Sequence, residues 1–216
     1  MRKLFPLISD GLAAAIYTQT TDVEGEVNGL ITYDRKRVKF DVAAMSALNR
    51  KVYGPLPSYE RTTVVPTSEE TGQTWRYTLE KPSDDWFATD FDATTWKEGA
   101  AGFGTMETPN AVVRTEWSTK EIWLRRSFTL DSVDFHELNY RIHHDENATL
   151  YLNGVQVELL TGFTSGYEDL LASSEANEGL KMGENVIAIH CEQTAGGQYI
   201  DWGLLDVKAS DDPPTD

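Results

Sequence analysis

Residues 121–154 read EIWLRRSFTLDSVDFHELNYRIHHDENATLYLNG, and their spacing decides the fold class. Three runs alternate apolar with polar residues: Ile122, Leu124, Phe128 and Leu130; then Leu138, Tyr140 and Ile142; then Ala148, Leu150 and Leu152. Period-two alternation gives a strand one buried and one wet face. Between the runs stand Asp131-Ser132 and His144-Asp145-Glu146-Asn147, and Asn153-Gly154 follows the last. Asn-Gly tolerates the positive φ angles of a two-residue hairpin turn. The stretch predicts an antiparallel sheet with one face on a core.

Working outward, 216 residues suffice for one large sandwich, or a sandwich with an appendage, and 40% hydrophobic and 11% aromatic content exclude disorder for the body of the chain. A formal charge of −16 argues against nucleic acid or an anionic membrane surface as partner. The imbalance is uneven: residues 1–54 carry 8 Lys/Arg against 6 Asp/Glu, whereas residues 55–216 carry 11 against 29. That change of character near Gly54 marks a domain boundary. The single cysteine, Cys191, has no internal disulfide partner and shares the phase of Ile187 and Ile189, as a buried inert thiol does. Residues 1–15 have the basic start and small residues of an export signal, but Asp10 and Gly11 interrupt the apolar run.

The blocks WLRRSFTL, HDENATLYLNG and GENVIAIHCEQTAGGQYIDWGL (183–204) resemble the galactose-binding-type jelly-roll domains of glycoside hydrolases of family 2, the β-galactosidase and β-glucuronidase group. The resemblance runs from about Trp75 to Val207 and implies a mainly β fold, an antiparallel β-sandwich, in a carbohydrate context.

A second resemblance is carried by AAIYTQTTDVEGEVNGLITYDRKRVKFD (14–41), which is similar to the closing segment of the same family's catalytic (β/α)₈ barrel: a last strand at Ala14–Thr18, the loop after it, and the final helix. The helix also reads without the analogy. Asp41 can cap it, Val42, Met45, Leu48 and Val52 recur at helical spacing, and Gly54-Pro55 ends it. One strand and one helix cannot close a barrel. The resemblance therefore implies the C-terminal part of a larger hydrolase, periplasmic or secreted in bacteria, with the apolar face of the helix covered by the sandwich or by a second copy of the chain.

These boundaries give residues 1–54 as the barrel remnant, 55–72 as a linker holding one edge strand, 73–208 as the sandwich and 209–216 as a frayed tail. Within the sandwich we expect strands at Thr74–Leu79, Asn185–Gln193 and Gln198–Val207, an acidic loop with aromatic punctuation at residues 84–96, and a short helical turn at Glu168–Ala172.

Sites for neutral sugars combine an aromatic face with groups that satisfy hydroxyls. Most of the six tryptophans read as core. Trp117 is the exception, because its neighbours place it in a loop. His144 and Asp145 belong to the densest titratable cluster; His144 shares the phase of Ile142 and so reads first as an inward core histidine and only then as a ligand group, whereas Asp145 could equally cap the turn. Tyr199 and Asp201 share one strand face. They either line a concave surface with Arg125 or Arg141 or pair with an arginine as structural glue.

In the barrel remnant, the resemblance places Tyr17, Gln19, Glu24, Glu26 and Asn28 toward the parent's sugar pocket, but the order of Glu24 and Glu26 does not match the family's catalytic pair. No catalytic residue is assigned, and no cofactor. Calcium on the acidic loops at Asp84-Asp85 and Asp90/Asp92 is left open, since those loops lack a fixed calcium-loop spacing. Three functions follow: a non-catalytic carbohydrate-binding-like module that binds a neutral or galactose-type glycan weakly or packs on the parent's barrel, a scaffold without ligand, and a glycosidase using two carboxylates.

Overall fold

In a computed structural model, residues 4–9, 11–54 and 58–210 are described. Of the tail expected at 209–216, residues 211–216 lie outside them, as does part of the expected linker, 55–57; Ala209 and Ser210 instead end the last strand. The chain forms two compact units, one up to Glu60 with the strand end from Lys208, the other Arg61–Val207.

The first unit holds two helices, α1 (Leu4–Ser9) and α2 (Val42–Arg50), the second continued by a 3-10 turn at Lys51–Tyr53. Asp41 caps α2 as expected, its carboxylate accepting from Ala44 N at 3.0 Å. The strand expected at Ala14–Thr18 is not formed. A barrel strand exists only between parallel neighbours. Here the backbone pairs instead through single bridges, Thr21 with Ile31, Val23 with Glu26 and Ile31 with Val38. Asp22 ties this loop together: its carboxylate accepts from Gly29 N and from the Lys39 ammonium. On the expected apolar face, Val42 and Leu48 stay 57% and 41% exposed in the single chain while Met45 and Val52 are half-buried, so that face is only partly covered.

The second unit is a sandwich of two antiparallel-rich sheets. Its strands are β1 (Ser58–Val65), β2 (Thr74–Thr78), β3 (Lys97–Ala100), β4 (Phe103–Gly104), β5 (Thr115–Glu116), β6 (Glu121–Leu130), β7 (Leu138–Asp145), β8 (Asn147–Leu152), β9 (Val155–Leu160), β10 (Glu168–Leu171), β11 (Gly183–Glu192) and β12 (Tyr199–Ser210). One sheet runs β10-β7-β12-β4-β5, with β1 also on β12; the other runs β3-β2-β6-β11-β8-β9. The three runs of the opening stretch therefore do not share a sheet. β6 and β8 flank β11, while β7 belongs to the facing sheet. Residues 131–137 cross between layers rather than turn back.

Alternation still identified the core. Ile122, Leu124, Leu138, Tyr140, Ile142, Leu150 and Leu152 are all buried between the sheets. Trp75 and Trp202 meet edge to face there at 6.3 Å, an arrangement that suits the ring quadrupoles. The β8–β9 hairpin turns at Asn153 (φ 49°) and Gly154 (φ 84°), as the dipeptide predicts. Glu168–Leu171, expected as helix, is the edge strand β10 on β7; the short helix α3 comes later, at Ser174–Gly179, capped by Ser173 on Ala176 N.

Candidate functional site

β7 and β12 lie side by side, with Asp201 opposite His143 and Tyr199 opposite Asp145. Side chains two apart share a face, so the outer face of this sheet carries Arg141, His143 and Asp145 beside Tyr199 and Asp201. Loop residues cover most of it. Asp201 accepts from Ser68 N at 2.7 Å, from the Tyr167 hydroxyl at 2.6 Å and from Trp202 N at 2.9 Å. The Tyr167 and Tyr199 hydroxyls are 2.8 Å apart, and Tyr199 also donates to Val112 O at 3.0 Å.

Neither alternative for Tyr199 and Asp201 describes what forms, because their partners are Tyr167 and loop backbone rather than an arginine. Arg141 instead holds Glu69, at 2.8 and 3.1 Å, and Asp169 at 3.1 Å. Both Tyr199 and Asp201 are buried. Burial pushes the Asp201 carboxyl up to about 6, against the lowering by Tyr167, Ser68 and Trp202. His143 is fully buried against the rings of Tyr199 and Tyr167, at 4.5 and 5.6 Å, with no hydrogen bond to either ring nitrogen among the described residues. Burial first, then the neighbouring His144, pushes it down to about 4. The lattice is a buried structural clasp.

Trp117 does not stand on a loop rim. It follows β5, whose parallel pairing with β4 draws the chain inward, and it is 1% exposed, its indole N–H shared by Thr119 Oγ1 and Glu121 O. His144 faces the core, with Nδ1 2.6 Å from Glu146 O. Asp145 is nearly buried at the end of β7. In the first unit Tyr17 donates to Asn28 O at 2.9 Å; Glu24 and Glu26 are exposed on a tight turn, and Gln19 is half-buried. Asp85 and Asp92 take up hydrogen bonds from Ser83 and Thr94 within their turns. Among the described residues no three His, Cys, Asp or Glu side chains are grouped to hold a metal.

The open concavity lies on the outer face of the other sheet. There the register sets Glu98, Arg76 and Arg125 in one row across β3, β2 and β6. Two arginines opposite one another repel. Glu98 offsets this by pairing with Arg76 at 2.9 Å, while Arg125 donates to Trp86 O and Ala88 O and so pulls residues 83–96 down as a roof. Burial lowers the Arg125 pKa. The roof is stiffened by Trp86, Phe87, Phe91 and Trp96, packed with Trp123 and Tyr151. Under it opens a cleft of about 400 Å³ lined by Arg76, Arg125, Phe91, Asp92, Glu98 and Ser127 among others. Phe91 lies with its ring centre 5.4 Å from the Arg125 guanidinium. The acidic aromatic loop was visible in the sequence; its alignment over Arg125 required the strand register.

Fold and cleft together define a β-sandwich module with a polar, aromatic-edged concavity. No protein-family model and no curated protein matches the chain. Solved structures similar to it include a β-glucuronidase of Bacteroides uniformis (16% identity, TM-score 0.46), covering 68% of this chain and 18% of that one. A glycosyl hydrolase family 2 member from Bacteroides cellulosilyticus has 14% identity and TM-score 0.46, over 68% of this chain and 21% of that one. A β-glucuronidase of Bifidobacterium dentium, solved with coumarin-3-O-glucuronide, has 17% identity and TM-score 0.45, over 66% and 22%. The matched region spans about a fifth of the length of each.

Proposed function

We propose that this chain is a non-catalytic, carbohydrate-binding-like module of a family 2-type glycoside hydrolase. It holds a neutral or galactose-type glycan weakly in the Arg125–Phe91 cleft, and its first unit packs on the parent's barrel. The cleft carries the reading. Phe91 offers an aromatic ring to the C–H side of a sugar, and Arg76, Arg125, Asp92, Glu98 and Ser127 offer donors and acceptors to hydroxyls. The cleft carboxylates are already engaged, Glu98 by Arg76 and Asp92 by Thr94 N, which argues against an acid/base pair. The sequence blocks quoted above supply the family context.

The test is a tryptophan-fluorescence titration with galactosides and neutral oligosaccharides, since Trp86 and Trp96 belong to the roof. A saturable change is expected, weakened about tenfold by Phe91→Ala, as loss of about 1.4 kcal/mol implies. A second reading, the ligand-free scaffold, is favoured by burial of Trp75, Trp86, Trp117, Trp123 and Trp202 together with exposure of Ile16, Val27, Tyr33 and Tyr53 in the first unit. A flat titration selects it. Turnover of an aryl glycoside that vanished in Glu26→Gln would instead establish an enzyme.

A further inference from the structure

The geometry points to a second saccharide subsite, apart from the cleft, at the end of β7: the Asp145 carboxylate accepts ligand hydroxyls while Phe163 supplies the stacking face. The inference rests on the carbohydrate reading but not on the cleft.

Asp145 is 7% exposed, yet no hydrogen bond reaches its carboxylate among the described residues. Its oxygens are not among the fully buried polar atoms left without a partner, so they keep a solvent contact that a ligand hydroxyl can take over. Burial first, then the adjacent Glu146, raises its pKa above the ordinary carboxylate value. The surroundings are built around it. A Cβ at Gly197 would collide with Asp145 Oδ2 and crowd Thr108, so glycine lets that loop close beside the carboxylate without displacing it.

Phe163 is opposite Asp145 in an antiparallel bridge, which sets both side chains on one side. The next residue fixes the pairing: Thr164 N donates to His144 O at 2.9 Å and His144 N to Thr164 Oγ1 at 3.1 Å. Phe163 is nonetheless 69% exposed. A firmly anchored backbone that holds an aromatic ring in water beside a carboxylate bonded to no other described residue is the arrangement a pyranose needs: C–H face on the ring, hydroxyls on the carboxylate.

The experiment follows backbone amide resonances of the full chain on addition of methyl β-D-galactopyranoside and methyl β-D-glucopyranoside. Saturable shifts are expected at Phe163, Thr164 and Gly197, retained in Phe91→Ala, lost in Asp145→Asn and weakened about tenfold in Phe163→Ala. Phe163 is exposed, so that variant keeps the test valid should Asp145→Asn fail to fold. Shifts confined to Thr94 and Ser127 would overturn the second subsite and leave the cleft standing. Shifts at Phe163 that survived both variants would also overturn it, and silence at every amide would overturn both sites.

Discussion

Replacing Asp201 with alanine is expected to destabilise the sandwich by about 3–5 kcal/mol, read as a fall of roughly 1–2 M in the urea midpoint. The carboxylate joins three distant pieces of chain: β12, Tyr167 ahead of β10, and Ser68 in the loop after β1. Ser68 is fully buried, so its N–H would be left without an acceptor. A buried polar group stripped of its partner costs about 1–3 kcal/mol, and more when the lost partner was charged. The loop itself depends on that anchor, because Arg114 donates to Ser68 O, Glu69 O and Glu70 O. Tyr167→Phe removes the hydroxyl's contacts with Asp201 and Tyr199 but leaves Ser68 N its acceptor, and should cost about 1–2 kcal/mol. A double-mutant cycle checks the assignment: the two losses should fall short of adding. A loss below about 1 kcal/mol in Asp201→Ala would show that Arg114 alone holds the loop.

The strands were legible because the chain's alternation is strong, and partners were not, because alternation names a face and not a neighbour. β6, β7 and β8 each present their apolar phase inward as read. Yet a strand facing inward from either layer gives the same pattern, so the crossing of β7 to the facing sheet left no local mark. The polar phase of β7 shows a second limit. Asn139, His143 and Asp145 are buried although they point away from the core, because polar loops with no periodicity of their own lie over them. Tyr167 was missed for a related reason. Reading Glu168–Ala172 as helix hid that Tyr167, immediately before β10, and Asp169 within it come in reach of His143 and Arg141. Trp117 looked exposed because a two-residue parallel strand such as β5 has no sequence signature. The cleft needed Arg76 and Arg125, 49 positions apart, to be aligned, which only register supplies.

His143→Phe and Asp201→Asn should tilt the pH dependence of stability in opposite directions between about pH 4 and 6. His143 is held near 4 in the fold against an ordinary 6.5. As pH falls through that interval the unfolded chain binds a proton that the folded chain refuses, so stability is lost, and the loss is complete below about 4. Asp201, held near 6 against an ordinary 3.8, does the reverse. Its folded carboxyl keeps a proton that the unfolded chain has shed, so its contribution is fully present below 3.8 and is lost as pH rises through 6. Each effect amounts to about 2 kcal/mol. The two groups are cross-strand partners, and in the native chain their slopes largely cancel. Removing the histidine leaves Asp201 unopposed, and stability should rise on acidification; removing the acid leaves His143 unopposed, and it should fall. Carboxylates such as Asp206, whose pKa the fold lowers, lose stability in acid in all three proteins alike, so differences between urea midpoints at pH 4, 5, 6 and 7 isolate the pair. Parallel profiles for the native chain and both variants would refute the pairing of opposed titrations across β7 and β12.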